Sequence, residues 1–577
     1  MKKSLSLFLI IICLFLFVSC EEEAVTNEGA TVDTSFAKNE DELFTDRDKN
    51  PDYSESDTVY IELRGDSAYC SSPKVSINGS EIIINSEGIF SVSGSLDNGT
   101  IKVASSDDSK VQIVLDGASI QSSDYAPIYV LSANKVFITL AEGSENSLSS
   151  TGTFVQRDEN TVDAAIFSKQ DLTLNGSGSL NITSTEGHGI TCKDDLVLTG
   201  GVYDITCAYH AFDANNSIRI SDIAVTADAG KDGLHCENND NSSYGYIYIS
   251  NSNMDIEAEG DGISAGESLQ IESGSFHILC AGGYENGSKK SSDSYGGFMG
   301  RPGSSQSSSS SLDDQTSSKG LKAVSSLLIN GGSFNINTAD DAVHSNSSVV
   351  INSGDFTILS GDDGFHADET LQINAGSIDI SESYEGLEGL NITIMGGEIK
   401  IVSSDDGINA AGGTDQSGTG GNRGGDRFGG GQSSSSNGSI VISGGSIYMN
   451  ASGDGIDANG TLLISGGYTV VCGPTSGDTS VLDYDVSGTI TGGTFIGTGA
   501  YQMAQTFSDS EQGVFSVSTG TISAQTPVTL TDTNGNTLFS FTPSLSYAIV
   551  ILSSPDLKKG ESYTITVGDI SGTFEAS

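Results

Sequence analysis

The sequence predicts an all-β protein, most of it a right-handed parallel β-helix of about 22 residues per coil, with an N-terminal cap and a small C-terminal β cap. The first observation is a repeat, because NTADDAVHSN, SGDDGFHADE, SYEGLEGLN and SSDDGINAAG are four versions of one phrase. Their acidic residues Asp341, Asp363, Glu385 and Asp406 lie 22, 22 and 21 positions apart. A fixed period of this length indicates a solenoid.

Composition and patterning support the same prediction. Gly, Ser, Asn, Thr and Asp dominate, Trp is absent, and only 8 of the 577 residues are Pro. Nearly every apolar residue belongs to an alternation such as I-x-I or L-x-I, which is typical of strands. The predicted class is therefore all-β.

The N-terminal segment is predicted to direct export. Residues 1–20, MKKSLSLFLIIICLFLFVSC, resemble a bacterial lipoprotein signal peptide that ends at Cys20, the expected lipid site. An uncleaved membrane anchor is the alternative, but the apolar run is short for a span. Residues 21–57 are polar, acidic and aperiodic, which predicts a flexible tether. We therefore expect a membrane-anchored lipoprotein at the cell surface or facing the periplasm.

The predicted β-helix occupies residues 58–500. Its strands are less regular up to about residue 140, which is typical of a terminal cap on a solenoid. A small residue followed by an apolar one, such as Ala342-Val343, then marks each coil, mostly at steps of 21–24 residues. Two longer steps contain Gly/Ser-rich loops at 283–318 and 412–438, for which composition predicts disorder. Residues 501–577 lose the period and are predicted to form the C-terminal β cap.

Each coil is predicted to contain three short strands. In one coil these are 327–329, 333–336 and 343–345, separated by turns. Equivalent apolar positions predict two inward ladders, one of Ile329, Ile351, Ile373 and Ile394 and one of Phe334, Phe356, Ile378 and Ile399. Stacking would supply the continuous core that a single coil lacks.

The formal net charge of −51 excludes nucleic acid as a natural partner, because no cluster of Lys and Arg is available to neutralise phosphates. An acidic polymer could bind only if a divalent cation bridged the two sets of carboxylates. The simpler interpretation is that the charge keeps a strand-rich surface in solution.

Six cysteines follow Cys20: Cys70, Cys192, Cys207, Cys236, Cys280 and Cys472. An even number in an exported protein suggests disulfides. However, Cys192 and Cys236 fall two coils apart, about 9–10 Å at strand spacing, which exceeds the reach of a disulfide. We expect buried free thiols.

A column of polar residues lies three positions beyond the acids. It contains His235, His344 and His366 together with Lys322, Glu388, Asn409 and Asp457. Strand alternation predicts that this column faces outward. A histidine metal site would need convergence of His or Cys ligands, and the excess of carboxylates favours a harder ion. Ordinary surface polarity is the alternative.

Carboxylates recur in pairs on successive coils. The candidate metal ligands are Asp340, Asp341, Asp362, Asp363, Glu385, Glu388, Asp405 and Asp406, with Asp232, Asp261 and Asp454 as a sparser extension. Equivalent residues of stacked coils are about 4.8 Å apart, so these acids would repel one another unless a cation lies among them. Ca²⁺ fits because it takes about 6–8 oxygen ligands, whereas Mg²⁺ fits less well. A solvated acidic turn is the alternative.

The run from Lys319 to Gly413, with its phrases DDAVHS, GDDGFHAD, YEGLEG and SDDGINAAGG, resembles the bacterial carbohydrate-binding β-helix family. That family is similar to calcium-dependent pectate lyases of the parallel β-helix type. The resemblance extends from about Val59 to the C-terminal segment. It implies a surface module that binds acidic polysaccharide, such as polygalacturonate (pectin), or cellulose, with Ca²⁺ held among the eight acids named above.

Three functions remain open. The first is a calcium-dependent polysaccharide-binding lipoprotein, and the second is a polysaccharide lyase that acts by β-elimination. A lyase needs a base for the proton α to the carboxyl group and a cation to stabilise the developing charge. The weak candidates for that base are Lys319, Lys322 and Lys400. A structural surface adhesin is the third.

Overall fold

The computed structural model describes residues 32, 34–238, 241, 243–288, 317–411, 437–475, 477 and 479–577. The predicted signal peptide at 1–20 with Cys20, the first part of the predicted tether, and most of the two predicted loops lie outside the described residues. Within the described part, no helix is long and apolar enough to cross a membrane.

The all-β prediction is confirmed. The described helices are α1 (Glu40–Leu43), α2 (Asp46–Lys49) and two 3₁₀ turns, Glu55–Asp57 and Tyr284–Asn286. Ten strands precede the regular repeat: β1 Thr58–Gly65, β2 Ala68–Tyr69, β3 Val75–Asn78, β4 Glu81–Ile84, β5 Gly88–Leu96, β6 Thr100–Ala104, β7 Lys110–Ser122, β8 Ile128–Ser132, β9 Lys135–Leu140 and β10 Glu145–Ser150.

The strands of the regular part are β11 Ala164–Ser168, β12 Asp171–Gly176, β13 Ser179–Ser184, β14 His188–Cys192, β15 Asp195–Thr199, β16 Val202–Cys207, β17 Phe212–Ala214, β18 Ser217–Ser221, β19 Ala224–Ala229, β20 Leu234–Cys236, β21 Tyr246–Ser250, β22 Ser252–Ala258, β23 Ile263–Ala265, β24 Ser268–Ile271, β25 Gly274–Cys280, β26 Leu321–Ala323, β27 Ser326–Ile329, β28 Ser333–Thr338, β29 Val343–Ser345, β30 Ser348–Ile351, β31 Asp355–Ser360, β32 Phe365–Ile373, β33 Ser377–Glu382, β34 Leu387–Ile394, β35 Glu398–Ser403, β36 Ile408–Asn409, β37 Gly438–Ile442, β38 Ser446–Ala451, β39 Ile456–Ala458, β40 Gly460–Ile464, β41 Tyr468–Cys472, β42 Leu482–Tyr484, β43 Ser487–Ile490 and β44 Thr494–Gly499. The last strands are β45 Asp509–Ser510, β46 Val514–Ile522, β47 Val528–Thr531, β48 Thr537–Phe541, β49 Tyr547–Ser553, β50 Ser562–Val567 and β51 Ile570–Glu575.

In the regular part, each strand pairs in parallel with its counterpart in the next coil, so that three stacks of strands arise. The first stack contains β11, β14 and β17, the second β12, β15 and β18, and the third β13, β16 and β19, each continued by later coils. In β32 and β34 the first and second strands of a coil merge into one. Hydrogen bonds join 47 of the described strands into one long, mostly parallel sheet.

Both predicted inward ladders are confirmed by the register. Ile329, Ile351, Ile373 and Ile394 are successive partners, as are Phe334, Phe356, Ile378 and Ile399. Burial of each such side chain contributes about 1.5–3 kcal/mol. The ring of Phe334 stacks between those of Phe276 and Phe356, with centroid separations of 4.8 and 4.5 Å. The core is therefore a set of continuous apolar ladders rather than a cluster at one depth.

The two ends of the chain depart from the parallel pattern. Near the N-terminal end, β3 and β4 form an antiparallel hairpin. Near the C-terminal end, β49 pairs antiparallel with both β44 and β46, and β48, β47, β50 and β51 form a separate sheet. That sheet buries Val528, Leu530 and Ile565 against Val470 and Ile496 of the last coils.

The six described cysteines are free, as expected. Five of them are buried, and Cys70 is half-buried. Cys192 and Cys236 are separated by Ala214 in the ladder of the first stack, so they lie two coils apart. Cys192, Cys207 and Cys236 therefore fill core positions that Ala occupies in neighbouring coils.

Residues 34–52, called the strap below, lie along the outward face of the second stack. The backbone of Lys38 contacts Gln270, the carbonyl of Leu43 contacts Arg219, and that of Pro51 contacts Gln112. The strap therefore runs against the direction in which the coils succeed one another. Composition predicts a flexible tether at residues 21–57, but the strap is packed against the sheet. Long polar side chains of the sheet form hydrogen bonds with the backbone of the strap.

Candidate functional site

The turn between the third strand of one coil and the first strand of the next carries a ladder of polar residues. We call this ladder the edge ladder. Each member directly precedes the two residues that mark its coil, a small residue and an apolar one in every coil but the last, where they are Val481 and Leu482. The members are His188, His210, Asp232, Asp261, Lys319, Asp341, Asp363, Glu385, Asp406, Asp454 and Ser480. The N–H that follows each member donates to the carbonyl of the next member, as from Ala342 to Asp363 and from Gly364 to Glu385, both at 3.0 Å. The predicted acidic column is thus part of a longer continuous ladder.

Side chains of the edge ladder also bond to the backbone of the next coil. Oδ1 of Asp341 accepts from the N–H of Asp363, and Oδ1 of Asp363 accepts from that of Glu385, both at 3.1 Å. In earlier coils, Nδ1 of His188 and of His210 accepts the corresponding N–H at 3.3 and 3.1 Å. One acceptor atom of each of these members therefore has a structural role, which leaves the second carboxylate oxygen for other partners.

The middle of the ladder contains its own cation. The side chain of Lys319 is 0% exposed, and its Nζ lies 3.0 Å from Asp340 Oδ1 and 2.6 Å from Asp341 Oδ2. Burial would raise the pKa of Asp341, but Lys319 and His344 hold that pKa well below its usual range. The Asp340–Asp341 pair, expected to bind a metal, is thus already compensated by an ammonium group.

The column beside the ladder differs from expectation. Strand alternation predicts that His344 and His366 face outward, yet they are only 2% and 1% exposed, so the alternative of ordinary surface polarity is wrong at these positions. Nδ1 of His344 lies 2.8 Å from Asp341, and Nδ1 of His366 lies 2.6 Å from Glu388 and 3.3 Å from Asp363. Outward-pointing side chains are buried here because the adjacent ladder acids close over them.

These contacts make His366 a second internal cation. Burial would lower the pKa of His366, but its hydrogen bonds with Asp363, Asp368 and Glu388 raise that pKa well above its usual value. Donor atoms of Asp363, His366 and Glu388 lie within 4.8 Å of one another, as do those of Asp340, Asp341 and Asp362. Upstream of Glu385, the candidate ligands therefore converge around positively charged side chains.

Downstream, the ladder loses its internal cations. Among the described residues, no Lys, Arg or His forms an ion pair with Glu385, Asp406, Asp454 or Asp457. Burial and the neighbouring Asp454 and Asp405 raise the pKa of Asp406 to about 9. Burial raises the pKa of Asp454 to about 7, and burial together with Asp483 raises that of Asp457 to about 6. These raised pKa values reflect, first, the burial of the carboxylates and, second, their closeness to one another without a compensating charge.

Asn409 lies among these acids, in register between Glu388 and Asp457. Its Nδ2 donates to both carboxylate oxygens of Glu385 at 3.0 Å. Its Oδ1 is buried, since the residue is only 7% exposed, and this atom has no hydrogen-bond partner among the described residues. A buried acceptor without a donor is costly. Sequence reasoning placed Asn409, Asp454 and Asp457 in their columns but did not single them out, because nothing in the repeat distinguishes them from compensated positions.

Seven of the eight predicted ligands therefore fall into two groups rather than one column. Asp340, Asp341, Asp362, Asp363 and Glu388 lie beside Lys319 and His366, whereas Glu385 and Asp406 lie in the uncompensated part. The eighth, Asp405, directly precedes Asp406 in the turn, and its carbonyl accepts from the N–H of Gly453 at 2.9 Å.

The three lysines considered as bases occupy different environments. Lys319 is fully buried between two carboxylates, which keeps it from contacting a polymer. Lys322 reaches Asp261 at 2.9 Å and Ser317 at 3.1 Å and is partly exposed. Lys400 is exposed on the third stack, where it pairs with Glu398 at 3.3 Å. None of the three lies among the uncompensated acids.

A further group of possible ligands, His210, Asp232 and His235, lies at the upstream end of the ladder. The rings of His210 and His235 stack at 4.2 Å. However, Nδ1 of His210 lies 3.1 Å from the backbone nitrogen of Asp232 and 3.3 Å from Oδ2 of the same residue. This ring nitrogen is therefore already engaged within the turn, which argues against a histidine site here.

Comparisons with known proteins show what this chain is similar to. Residues 78–364 match a family model described as "Carbohydrate-binding domain-containing protein". These comparisons support a carbohydrate-binding family. A curated protein of Acetivibrio thermocellus with the same description is 35% identical over 129 residues, which are 22% of this chain and 45% of that protein. The match thus spans less than half of the relative's length.

One solved structure is also similar. Its title is "Structure of the polysaccharide lyase-like protein from C. thermocellum, Gadolinium derivative". It is 29% identical, covers 39% of this chain and 92% of its own chain, and has a TM-score of 0.38.

Proposed function

We propose that this protein binds polysaccharide, most favourably an acidic one such as polygalacturonate, through calcium held at the downstream part of the edge ladder. The observation that carries the proposal is the buried, unpartnered Oδ1 of Asn409 beside uncompensated carboxylates. The family match over residues 78–364 supports carbohydrate as the ligand. A binding protein, rather than an enzyme, is favoured because no lysine among the described residues lies at this group of acids.

The residues proposed to hold the cation are Glu385, Asp406, Asn409, Asp454 and Asp457. They offer only oxygen ligands, and the five residues come from three successive coils, which suits the high and flexible coordination of Ca²⁺. When bound, calcium would neutralise the acids and could accept a carboxylate of the polymer. The chain's own residues supply the rigid, closely spaced oxygens, because each is positioned by the parallel register.

The same reasoning moves the site away from part of the predicted set. Asp340 and Asp341 face Lys319, and Asp363 and Glu388 face His366, so these acids lack the uncompensated charge that favours a metal. We therefore infer that calcium binds downstream of His366. In the upstream part of the ladder, the internal cations Lys319 and His366 take the place of calcium.

We also infer that the three parallel stacks wind as a right-handed β-helix with caps at both ends. The parallel register between coils supports this, because parallel crossover connections are overwhelmingly right-handed. Export by the lipoprotein signal at 1–20 and anchoring through Cys20 stay part of the proposal. Together they would hold polymer at a membrane surface.

Metal content tests the cation site. Purified protein should contain calcium by elemental analysis, and Asp406→Asn combined with Asp454→Asn should lose it. Asp340→Asn is the matched control, because it changes an acid that faces Lys319, and it should keep its calcium. Loss of calcium from the control but not from the double variant would overturn the assignment.

Affinity electrophoresis tests the ligand. Polygalacturonate in the gel should retard the protein in calcium and not in chelator, since the bridging cation is then removed. Absence of retardation by any acidic or cellulosic polysaccharide would contradict the binding function and leave the adhesin. Ultraviolet absorbance from unsaturated uronates, formed with calcium present, would instead establish the lyase.

A further inference from the structure

The strap covers a row of side chains suited to an extended ligand. The row runs along the outward face of the second stack, one residue per coil, and consists of Gln112, Phe137, Thr173, Val197, Arg219, Tyr248 and Gln270. Lys135, Asn175 and Thr199 flank it on the same strands. The face thus combines amides, hydroxyls, two aromatic rings and two cations at the spacing of strands, about 4.8 Å per coil.

A carboxylate of the strap lies at the centre of this face. Asp48 is only 1% exposed, and its Oδ1 lies 2.7 Å from Nζ of Lys135 and accepts from the Thr173 hydroxyl at 2.6 Å. The Asp48 carbonyl accepts from Asn175 and Thr199. Four side chains of three coils therefore converge on one residue of the strap.

The rest of the strap is held mainly through backbone groups and rings. Gln270 pairs with both the N–H and the carbonyl of Lys38, at 2.6 and 3.0 Å. Arg219 donates to the carbonyl of Leu43 at 2.8 Å, and the ring of Phe44 packs edge-on against Tyr248 at 6.0 Å. These contacts recognise oxygens, one carboxylate and an apolar ring. Two further strap side chains contact the face, because Arg47 donates to Gln112 at 2.5 Å and lies over the ring of Phe137, and Glu40 accepts from the Tyr248 hydroxyl at 3.4 Å.

We propose that the strap-covered face is a second, latent binding site for a carboxylate-bearing polysaccharide, which the strap occupies in cis with Asp48 in the place of a uronate. Cationic side chains are scarce, with 25 Lys and Arg against 76 Asp and Glu, yet Lys135 and Arg219 lie on this one face. Amide and hydroxyl side chains would meet sugar hydroxyls as they meet the strap's carbonyls, and Tyr248 and Phe137 would pack against sugar rings. Release of the strap exposes the site.

This site is separate from the proposed calcium site. The edge ladder lies between the third and first stacks, whereas the strap lies on the second stack, which does not border that edge. Ammonium and guanidinium groups bind carboxylates directly, so the latent site needs no metal. Binding that survives chelation therefore distinguishes it from binding at the ladder, and either proposal can fail alone.

The test uses two full-length variants that break the same ion pair. Asp48→Ala removes the strap's carboxylate and keeps the cation of the face, whereas Lys135→Met removes the cation and keeps the carboxylate. Removing one partner of a buried pair is strongly destabilising, so trypsin should cleave after Arg47 and Lys49 at least about 100-fold faster in both. In chelator, polygalacturonate should retard Asp48→Ala but neither Lys135→Met nor the wild type. The retardation should weaken with added salt.

Three results would overturn the proposal. Cleavage of Asp48→Ala at the wild-type rate would show that the pair does not hold the strap. Rapid cleavage without retardation in chelator would show that the exposed face does not bind the polymer. Retardation of Lys135→Met in chelator as strong as that of Asp48→Ala would show that the cation of this face plays no part in binding.

Discussion

The Nζ of Lys319 lies 2.6 Å from Oδ2 of Asp341, the next member of the edge ladder, and neither side chain is exposed. In a ladder composed mainly of acids, this ammonium compensates Asp340 and Asp341, and we infer that it stands in the place of a metal ion. Upstream, Lys319 and His366 thus compensate the acids, whereas the acids around Asn409 have no such charge among the described residues.

Replacing Lys319 by Met should leave the carboxylates of its site without a compensating positive charge. The variant leaves Asp340 and Asp341 buried without their cation, which should lower the free energy of unfolding by about 3–5 kcal/mol in chelator. Calcium should restore part of this loss, because the two acids then resemble the downstream group. Denaturant titration with and without calcium measures both effects.

Lys400→Met is the matched control for that experiment. Lys400 is exposed and pairs with Glu398 at the surface, so its loss should cost less than about 1 kcal/mol. If calcium does not stabilise Lys319→Met more than it stabilises the wild type, the view of Lys319 as a stand-in for a metal is wrong.

The metal-free protein should become less stable as the pH rises. Asp406, Asp454 and Asp457 have folded pKa values of about 9, 7 and 6, against 3.8 for an unperturbed Asp. The folded state therefore binds more protons than the unfolded state between about pH 4 and pH 9, so this stability is present at low pH and is lost as pH rises. Thermal unfolding in chelator across that range should show the decline.

Calcium should remove or reverse this dependence, because the bound cation favours the ionised carboxylates. The Asp406→Asn and Asp454→Asn double variant should show a flatter profile in chelator than the wild type. A metal-free wild type whose stability rises steadily with pH would contradict the assignment of these acids as a buried, uncompensated group.

Much of the framework follows from the sequence because the period is nearly constant. The inward ladders of Ile329 and Phe334 were predicted residue by residue, since one nearly constant step of about 22 residues sets the pairings in the parallel stacks. The burial of His344 and His366 could not be predicted in this way, because strand alternation distinguishes only an inward side from an outward side. Whether the outer side is solvent depends on the neighbouring turn, here Asp341 and Asp363.

The strap was missed for a different reason. Residues 34–52 have no period, and the partners of Asp48 are Lys135, Thr173 and Thr199, which are close to it only after the coils have stacked. The division of the acids into compensated and uncompensated groups has the same origin. Lys319 and Asn409 occupy ladder or column positions like any other, and only their contacts show that one supplies charge and the other lacks a donor.

His188 should make the upstream end of the ladder sensitive to acid. Burial lowers its pKa to about 4, from 6.5 for an unperturbed His. The folded state therefore binds fewer protons than the unfolded state between these values, so the contribution is complete above about pH 6.5 and is lost as pH falls towards 4. Its size is up to about 3 kcal/mol.

His188→Asn isolates this effect. The Asn Oδ1 can accept the N–H of His210 as Nδ1 of His188 does, but it does not titrate. The difference in unfolding free energy between wild type and variant should therefore grow in favour of the variant as the pH falls from about 6.5 to about 4. Parallel profiles over that range would show that His188 is not the titrating group.

Substitutions at Asp232 test whether the side-chain acceptors of the edge ladder stabilise the fold in a part of the ladder where no metal is proposed. Its Oδ1 accepts the N–H of Asp261 at 2.8 Å, and the side chain is largely buried. Asp232→Asn keeps an acceptor at this position, whereas Asp232→Leu has nearly the same size and leaves the N–H without a partner. Leu should therefore destabilise the protein by about 1–3 kcal/mol more than Asn, measured by denaturant titration in chelator. Equal stability of the two variants would mean that the side-chain ladder adds nothing to the backbone ladder, and that its acids serve binding alone.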